Sequence, residues 1–256
     1  MLKSERLLQI QAMLNKYGKV EVSNLCRIFN VTEMTIRRDL NELEKQNLAI
    51  RSHGGAVAVR KNADPQRPYY MRISSHMAEK EAIAAAAMPL IPNGARLFFD
   101  SSTTVYCLAR CLANTQNLLV VTDTLTTALE LNSRTNIHVM CLGGELQKNT
   151  NSCSGIFAEN MLQSMRFDYA FIGLYGISAD GYLSTPSTSE FSLKRTVIEH
   201  SAHTVVLIDS SKLVMPNFLQ LGHISEIDTI VTDSNAPQSF IDNCRQHDTK
   251  LIIANV

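Results

Sequence analysis

Residues 20–39 read VEVSNLCRIFNVTEMTIRRD, and two amphipathic helices joined by a tight turn account for the whole stretch. Val22, Leu25, Cys26 and Phe29 give the first its apolar face. Asn30-Val31 is the turn. Thr32 is a good N-cap, and Glu33 follows in the first turn, where the helix dipole favours a negative charge. Ile36, Leu40 and Leu43 form the buried stripe of the second helix. Upstream, Leu7, Ile10, Met13 and Leu14 recur at helical spacing over residues 3–17, ended by Gly18. Downstream, Gly54-Gly55 separates two short β-prone runs, 50–53 and 56–59, which reads as a hairpin. Three helices and a hairpin predict a winged helix-turn-helix over residues 1–58, with the helix-turn-helix at 20–39.

That layout places the second helix of the pair in the major groove of double-stranded DNA, with donors near its N-terminus on base edges. Thr32, Met34, Thr35, Arg37, Arg38 and Asn41 lie off the apolar stripe and are the candidate DNA contacts. On the hairpin, Arg51 and His53 suit phosphates or the minor groove, although a structural role for His53 is an equal alternative. The plain alternative for the arginines is a pair of i,i+4 salt bridges, Glu33–Arg37 and Arg38–Glu42, on a solvated helix. Charge agrees with the DNA reading. Residues 1–60 hold ten of the 24 Lys and Arg but six of the 24 Asp and Glu, and a basic head suits a polyanion.

The full 256 residues allow two domains, and 45% apolar with 19% charged is the composition of a globular protein. The longest nearly uncharged run, at 82–93, is too short and too interrupted by Pro89 and Pro92 to span a bilayer. The N-terminus, MLKSER, carries no apolar segment or cleavage site, so a cytoplasmic protein is expected, with no membrane partner. The six cysteines, Cys26, Cys107, Cys111, Cys141, Cys153 and Cys244, form no C-x-x-C pattern. They are expected to be reduced core residues, and no metal site or cofactor is expected.

Residues 59–76 are polar, contain Asp64-Pro65 and Arg67-Pro68, and read as a linker. From residue 77 to 256 apolar β-type runs alternate with helical segments. The runs are 95–100, 118–122, 137–142, 169–174, 204–209, 227–232 and 250–253. Their near-continuous hydrophobicity predicts strands covered on both faces, in a mainly parallel α/β sheet. Ligands in such sheets bind at the carboxyl ends of strands. The first run ends in Asp100-Ser101-Ser102-Thr103-Thr104 and leads into a helix, an arrangement that suits a phosphate or carboxylate or is plain capping. The others end in Gly143-Gly144-Glu145, Gly173-Leu174-Tyr175-Gly176 and Asp209-Ser210-Ser211-Lys212. Several such ends converging on one crevice favour an anion site. Glu190 and Lys194 lie one helical turn apart and are either an i,i+4 pair or ligand contacts. His138, within an apolar run, reads as a core residue. No G-x-S-x-G, H-E-x-x-H or P-loop occurs, and no catalytic residue is assigned.

With these residues in place, the chain resembles the DeoR-type bacterial transcription regulators over almost its whole length. Val31 to Leu40, Leu43-Glu44 and His53-Gly54-Gly55-Ala56 match the family's DNA-binding signature. Glu79-Lys80, Asp100 to Thr104, Gly143-Gly144, Gly181, Leu193-Lys194 and Asp209 to Lys212 resemble its sensor. The resemblance implies a repressor, less often an activator, of a sugar or nucleoside catabolic operon. It implies a sensor similar to the sugar-phosphate isomerase fold, used for binding a phosphorylated sugar or related intermediate. By that analogy Ser102, Thr103 and Thr104 hold the phosphate, and Gly143, Gly144 and Lys212 line the site. Asp100, Ser101, Glu145, Gly173, Tyr175 and Lys194 complete the expected effector contacts. A homodimer or homotetramer formed through the sensor would present two recognition helices to repeated half-sites. The chain departs from the family at Leu174 and Tyr175, where Ala-Asp is usual, so a phenol replaces a carboxylate at the sugar end. The alternative is a sugar-phosphate isomerase with a DNA-binding head. The missing carboxylate argues against it, because enediol chemistry needs acid and base groups beside the substrate.

Overall fold

In the computed structural model of the chain, helix α1 (Lys3–Tyr17) buries Ile10 and Leu14 completely, as the helical spacing predicts. It is followed by β1 (Lys19–Glu21), α2 (Val22–Phe29), α3 (Glu33–Lys45), β2 (Ala49–Ser52) and β3 (Gly55–Ala58). The structure describes residues 3–17, 19–45, 48–52, 54–58, 69–112 and 117–256. Gly18, His53 and most of the expected linker lie outside them. The chain divides into two units, Met1–Lys61 and Asn62–Val256.

In the first unit α2 stops at Asn30, which takes the left-handed conformation (φ 50°, ψ 50°) and returns its N–H to the Cys26 carbonyl. Asn tolerates that conformation better than most residues. Thr32 then caps α3, its Oγ1 accepting the Thr35 N–H at 3.4 Å. Ile36, Leu40 and Leu43 pack with Ile10, Leu14, Leu25, Val20 and Ala56 in one core. The hairpin β2–β3 is joined by β1 into a three-stranded antiparallel sheet, order β1-β3-β2. The strand β1 is not foreseen in the sequence, being only three residues long, with Val20 alone turned inward. Gly55 makes its pairing possible: a Cβ there would lie 2.0 Å from the Val20 carbonyl oxygen.

The second unit runs α4 (Tyr69–Ser74), α5 (Met77–Ala87), β4 (Arg96–Phe99), α6 (Thr103–Cys111), β5 (Leu118–Thr122), α7 (Leu125–Asn132), β6 (Ile137–Cys141), β7 (Glu145–Gln147), β8 (Ser152–Ser154) and α8 (Ile156–Gln163). It continues with β9 (Phe167–Gly173), β10 (Gly176–Ile177), β11 (Tyr182–Thr185), α9 (Thr188–Glu199), β12 (Ser201–Leu207), β13 (Leu219–His223), β14 (Thr229–Asp233), α10 (Gln238–Gln246) and β15 (Lys250–Ala254). The seven apolar runs form one seven-stranded sheet, order β15-β14-β12-β9-β4-β5-β6, with every neighbouring pair parallel.

The runs are continuous because alternate residues serve opposite faces. Phe98, Ile172 and Val206 pack with Leu162 of α8, Val197 of α9 and Phe240 of α10. Leu97, Phe99, Phe171, Val205 and Leu207 pack on the other side with Ile83 of α5, Leu108 of α6 and Leu131 of α7. Chain order reverses between β4 and β9, which makes the gap at their carboxyl ends the switch point of the sheet.

Two features depart from the sequence reading. The expected linker ran to residue 76, but Tyr69–Ser74 is helical and Tyr69 is buried. Two small antiparallel sheets, β10-β11-β13 and β7-β8, were not anticipated, since their strands are two to five residues long and rich in Ser, Gly and Gln.

Candidate functional site

In the first unit the exposed side of α3 carries Met34, Arg37, Arg38 and Asn41. Arg37 pairs with Glu33 at 2.8 Å, both partly exposed. The alternative pair Arg38–Glu42 is absent: Glu42 meets Lys3 at 2.5 Å instead, and Arg38 makes no ion pair among the described residues. Thr35 shares a hydrogen bond with Thr32, Oγ1 to Oγ1 at 3.0 Å. Arg51, expected at phosphate or the minor groove, is first of all a tie. Its Nη1 donates to the Arg37 carbonyl at 3.1 Å and to Asn41 Oδ1 at 2.9 Å, and its backbone N–H reaches Glu44 at 3.0 Å. The hairpin is thereby fastened to α3. Behind α3, Asp39 is buried and takes Arg6 Nε at 2.5 Å and Nη2 at 3.3 Å. That pair was not foreseen, because nothing in Arg6's surroundings in the sequence marks it as buried.

In the second unit the switch point is built around Asp100, fully buried just beyond β4. Its Oδ1 accepts the Ser102 N–H at 3.0 Å and its Oδ2 the Gly173 N–H at 2.8 Å. Lys194, from α9, closes the group: it pairs with Asp100 Oδ2 and donates to the Gly173 carbonyl at 2.8 Å. Burial alone would lower the Lys194 ammonium, but Asp100 and Glu190 hold it above its ordinary value. Asp100, Ser102 and Gly173, from two of the four expected strand ends, are thus hydrogen-bonded together with Lys194, which also lies 4.0 Å from Glu190 as the i,i+4 alternative has it. Gly173 is required by close approach, since a Cβ there would meet Ser102 at 2.3 Å.

The hydroxyl oxygen of Ser102 caps α6, accepting the Val105 N–H at 3.2 Å, which leaves its O–H able to donate; Thr103 and Thr104 are buried in the first turn. Tyr175 is buried and donates to Glu190 Oε1 at 3.2 Å, while Leu174 has joined the apolar core. Burial raises the Tyr175 phenol, and Glu190 adds to the rise, so it stays protonated. Arg72, from α4, lies over its ring at 5.9 Å. Glu145, Lys148, Thr150, Tyr175, Ser187 and Glu190 line a cavity of about 480 Å³. Gly143 and Gly144 are exposed, and Gly144, at φ +137°, passes against the Ser154 carbonyl of β8 rather than a free face.

A second cluster sits beyond β12. Lys212 meets Asp209 at 3.1 Å. Burial would raise the Asp209 carboxyl, but Lys212 and the Ser211 hydroxyl hold it at about 2. Lys80 of α5 is buried with its ammonium on the carbonyls of Arg72 and Ser75. Burial first, then Lys212, pushes it down to about 8. Asp123, just beyond β5, was not singled out in the sequence. Its side chain is buried, and among the described residues one oxygen, Oδ1, has no hydrogen-bond partner. The signal available was the end of β5, where an acid follows an apolar strand as Asp100 does after β4. Among the described residues no group of three His, Cys, Asp or Glu could hold a metal, and no helix is long and apolar enough to cross a membrane.

Residues 6–62 match the model of the DeoR-like helix-turn-helix domain, and residues 75–234 that of the DeoR C-terminal sensor domain. Among curated proteins, the chain is 34% identical to the glycerol-3-phosphate regulon repressor of Escherichia coli, over 93% of this chain and 94% of that protein. It is 32% identical to the HTH-type transcriptional repressor GlcR of Bacillus subtilis, over 99% and 97%. Among solved structures it is similar to ribose 5-phosphate isomerase A from Methanocaldococcus jannaschii, at TM-score 0.41 and 18% identity over 55% of this chain and 56% of that one.

Proposed function

Because the chain belongs to the DeoR family of helix-turn-helix regulators, we propose that it represses a carbohydrate-catabolism operon and leaves its operator when a phosphorylated sugar or related anion occupies the sensor. Relatives named as repressors of sugar-related regulons support this reading. The observation that carries it in this chain is the pairing of an exposed α3 face with a polar crevice at the switch point. Arg38 and Met34 read bases, with Thr32, Thr35, Arg37 and Asn41 beside them and Arg51 and His53 toward the backbone. His53 itself lies outside the described residues.

In the sensor the first turn of α6 with Ser101, Ser102, Thr103 and Thr104 meets the anionic end of the ligand. Asp100, Gly173 and Lys194 form the floor. Gly143, Gly144, Glu145, Tyr175 and, from the cluster beyond β12, Lys212 are the remaining contacts of this proposal. The protein acts by binding and not by turnover, in the cytoplasm, as a homodimer or homotetramer. Tyr175 is engaged with Glu190, so the acid-base pair an isomerase needs is not free at that end.

The test is binding of the purified chain to DNA upstream of its own and neighbouring genes, at fixed near-physiological salt, with and without a panel of sugar phosphates. Specific binding released by one compound is expected. Specific binding that no compound alters would remove the sugar-phosphate part of the proposal, and absence of specific binding would remove the operator.

A further inference from the structure

The carboxyls at the switch point are unequally occupied. Asp100 has both oxygens taken, by two backbone N–H groups and Lys194. Glu190 accepts from Tyr175 and lies 4.0 Å from Lys194. Asp123 faces the same group from the neighbouring strand end. It is buried and close enough to feel Asp100, Lys194, Glu190 and the Ser101 hydroxyl, yet among the described residues its Oδ1 has no hydrogen-bond partner. A buried polar atom without a partner is uncommon and calls for an explanation. Lys194 pairs with Asp100 and lies near Glu190, and Asp123 also feels its charge.

We propose that Asp123 reads a hydroxyl group in the polyol part of the effector through its buried, unpartnered Oδ1. The inference rests on the repressor reading and names the residue that recognises the non-anionic end of the ligand. Burial, then the adjacent Asp100, raises the Asp123 carboxyl well above the ordinary range, which favours the protonated form; that form can both donate and accept, which an ionised acid cannot. A sugar hydroxyl likewise donates and accepts, so the two groups fit as a reciprocal pair. This also answers the departure at Tyr175. The carboxylate usual there in the family is replaced by a phenol turned to Glu190, and a carboxyl remains for a sugar hydroxyl two strands away, at the end of β5.

The test uses the full chain and titration calorimetry at pH 7, with glucose 6-phosphate, ribose 5-phosphate and glycerol 3-phosphate as hydroxyl-bearing probes and inorganic phosphate as the probe without a polyol. Wild type should bind at least one polyol phosphate more tightly than inorganic phosphate. Asp123→Ala should weaken that preferred compound about tenfold and leave inorganic phosphate unchanged. Asp123→Asn, which keeps a donor and an acceptor in the same shape, should stay within about threefold of wild type and guards against a folding defect. Equal weakening of both kinds of probe, no change in Asp123→Ala, an Asn variant as weak as Ala, or a wild type that prefers inorganic phosphate would each overturn the assignment. Operator binding by the same wild-type preparation separates these failures from failure of the repressor reading, which alone predicts it.

Discussion

Arg6 and Asp39 lie 33 positions apart and meet at 2.5 Å with almost no exposure, so removing either leaves a charge in the core of the first unit. Asp39→Ala should destabilise that unit by about 3 kcal/mol, read as a lower urea midpoint for its transition. Two strand-end aspartates of the second unit respond to pH with opposite signs. Asp209 is held at about 2, below its ordinary 3.8. Its stabilisation is therefore present above about pH 4 and lost as pH falls toward 2, and Asp209→Asn should flatten acid unfolding in that window. Asp123 is raised. The folded chain keeps that proton while the unfolded chain releases it near pH 4, so its contribution is lost as pH rises above 4. Asp123→Asn should raise the melting temperature at pH 7 and make no difference at about pH 4; a lower melting temperature at pH 7 would contradict the buried-acid account.

At the scale of elements, α3 and the hairpin are the parts a mutation can separate. Arg38→Ala, on an exposed face with no ion pair among the described residues, should weaken operator binding about tenfold and leave the fold and effector binding intact, as a gel-shift titration beside calorimetry would register. Gly55→Ala should break the pairing of β1 with β3, because its Cβ would stand 2.0 Å from a backbone oxygen. Operator binding should then be lost while the second unit's melting transition persists.

These elements differ in how far the sequence discloses them. The helices of the first unit and the seven strands of the parallel sheet were legible because each buries a periodic or continuous apolar run. Likewise Asp100, Gly173 and Lys194 were legible because each stands at a strand end or on the helix facing it. The partners of Arg6, Arg51 and Lys80 were not, since these long cationic side chains read as surface until the fold supplies a buried carboxylate or carbonyl. The short strands β7, β8 and β10 were hidden for a related reason, their register being set by backbone contacts such as Gly144 on Ser154 rather than by apolar pattern.

For the whole molecule, the family assignment joins two activities in one chain, and their coupling is a measurable quantity. Effector binding should lower operator affinity by about 5- to 150-fold, and operator DNA should weaken effector binding by the same factor; unequal factors in paired titrations would mean that the two states are incompletely described. The tie from Arg51 to Arg37 and Asn41 has a further consequence for how such a regulator changes over time. Fold stability in the first unit resides in the hairpin tie, the Arg6–Asp39 pair and the apolar stripe, all behind or beside the exposed α3 surface. Met34 and Arg38 contribute little to it. On the proposed reading of Met34 and Arg38 as base contacts, the lettering that selects an operator can therefore be rewritten at those two positions without resetting the type that holds it, and a duplicated copy of this gene could acquire a new address in the genome while keeping its old chemistry of response.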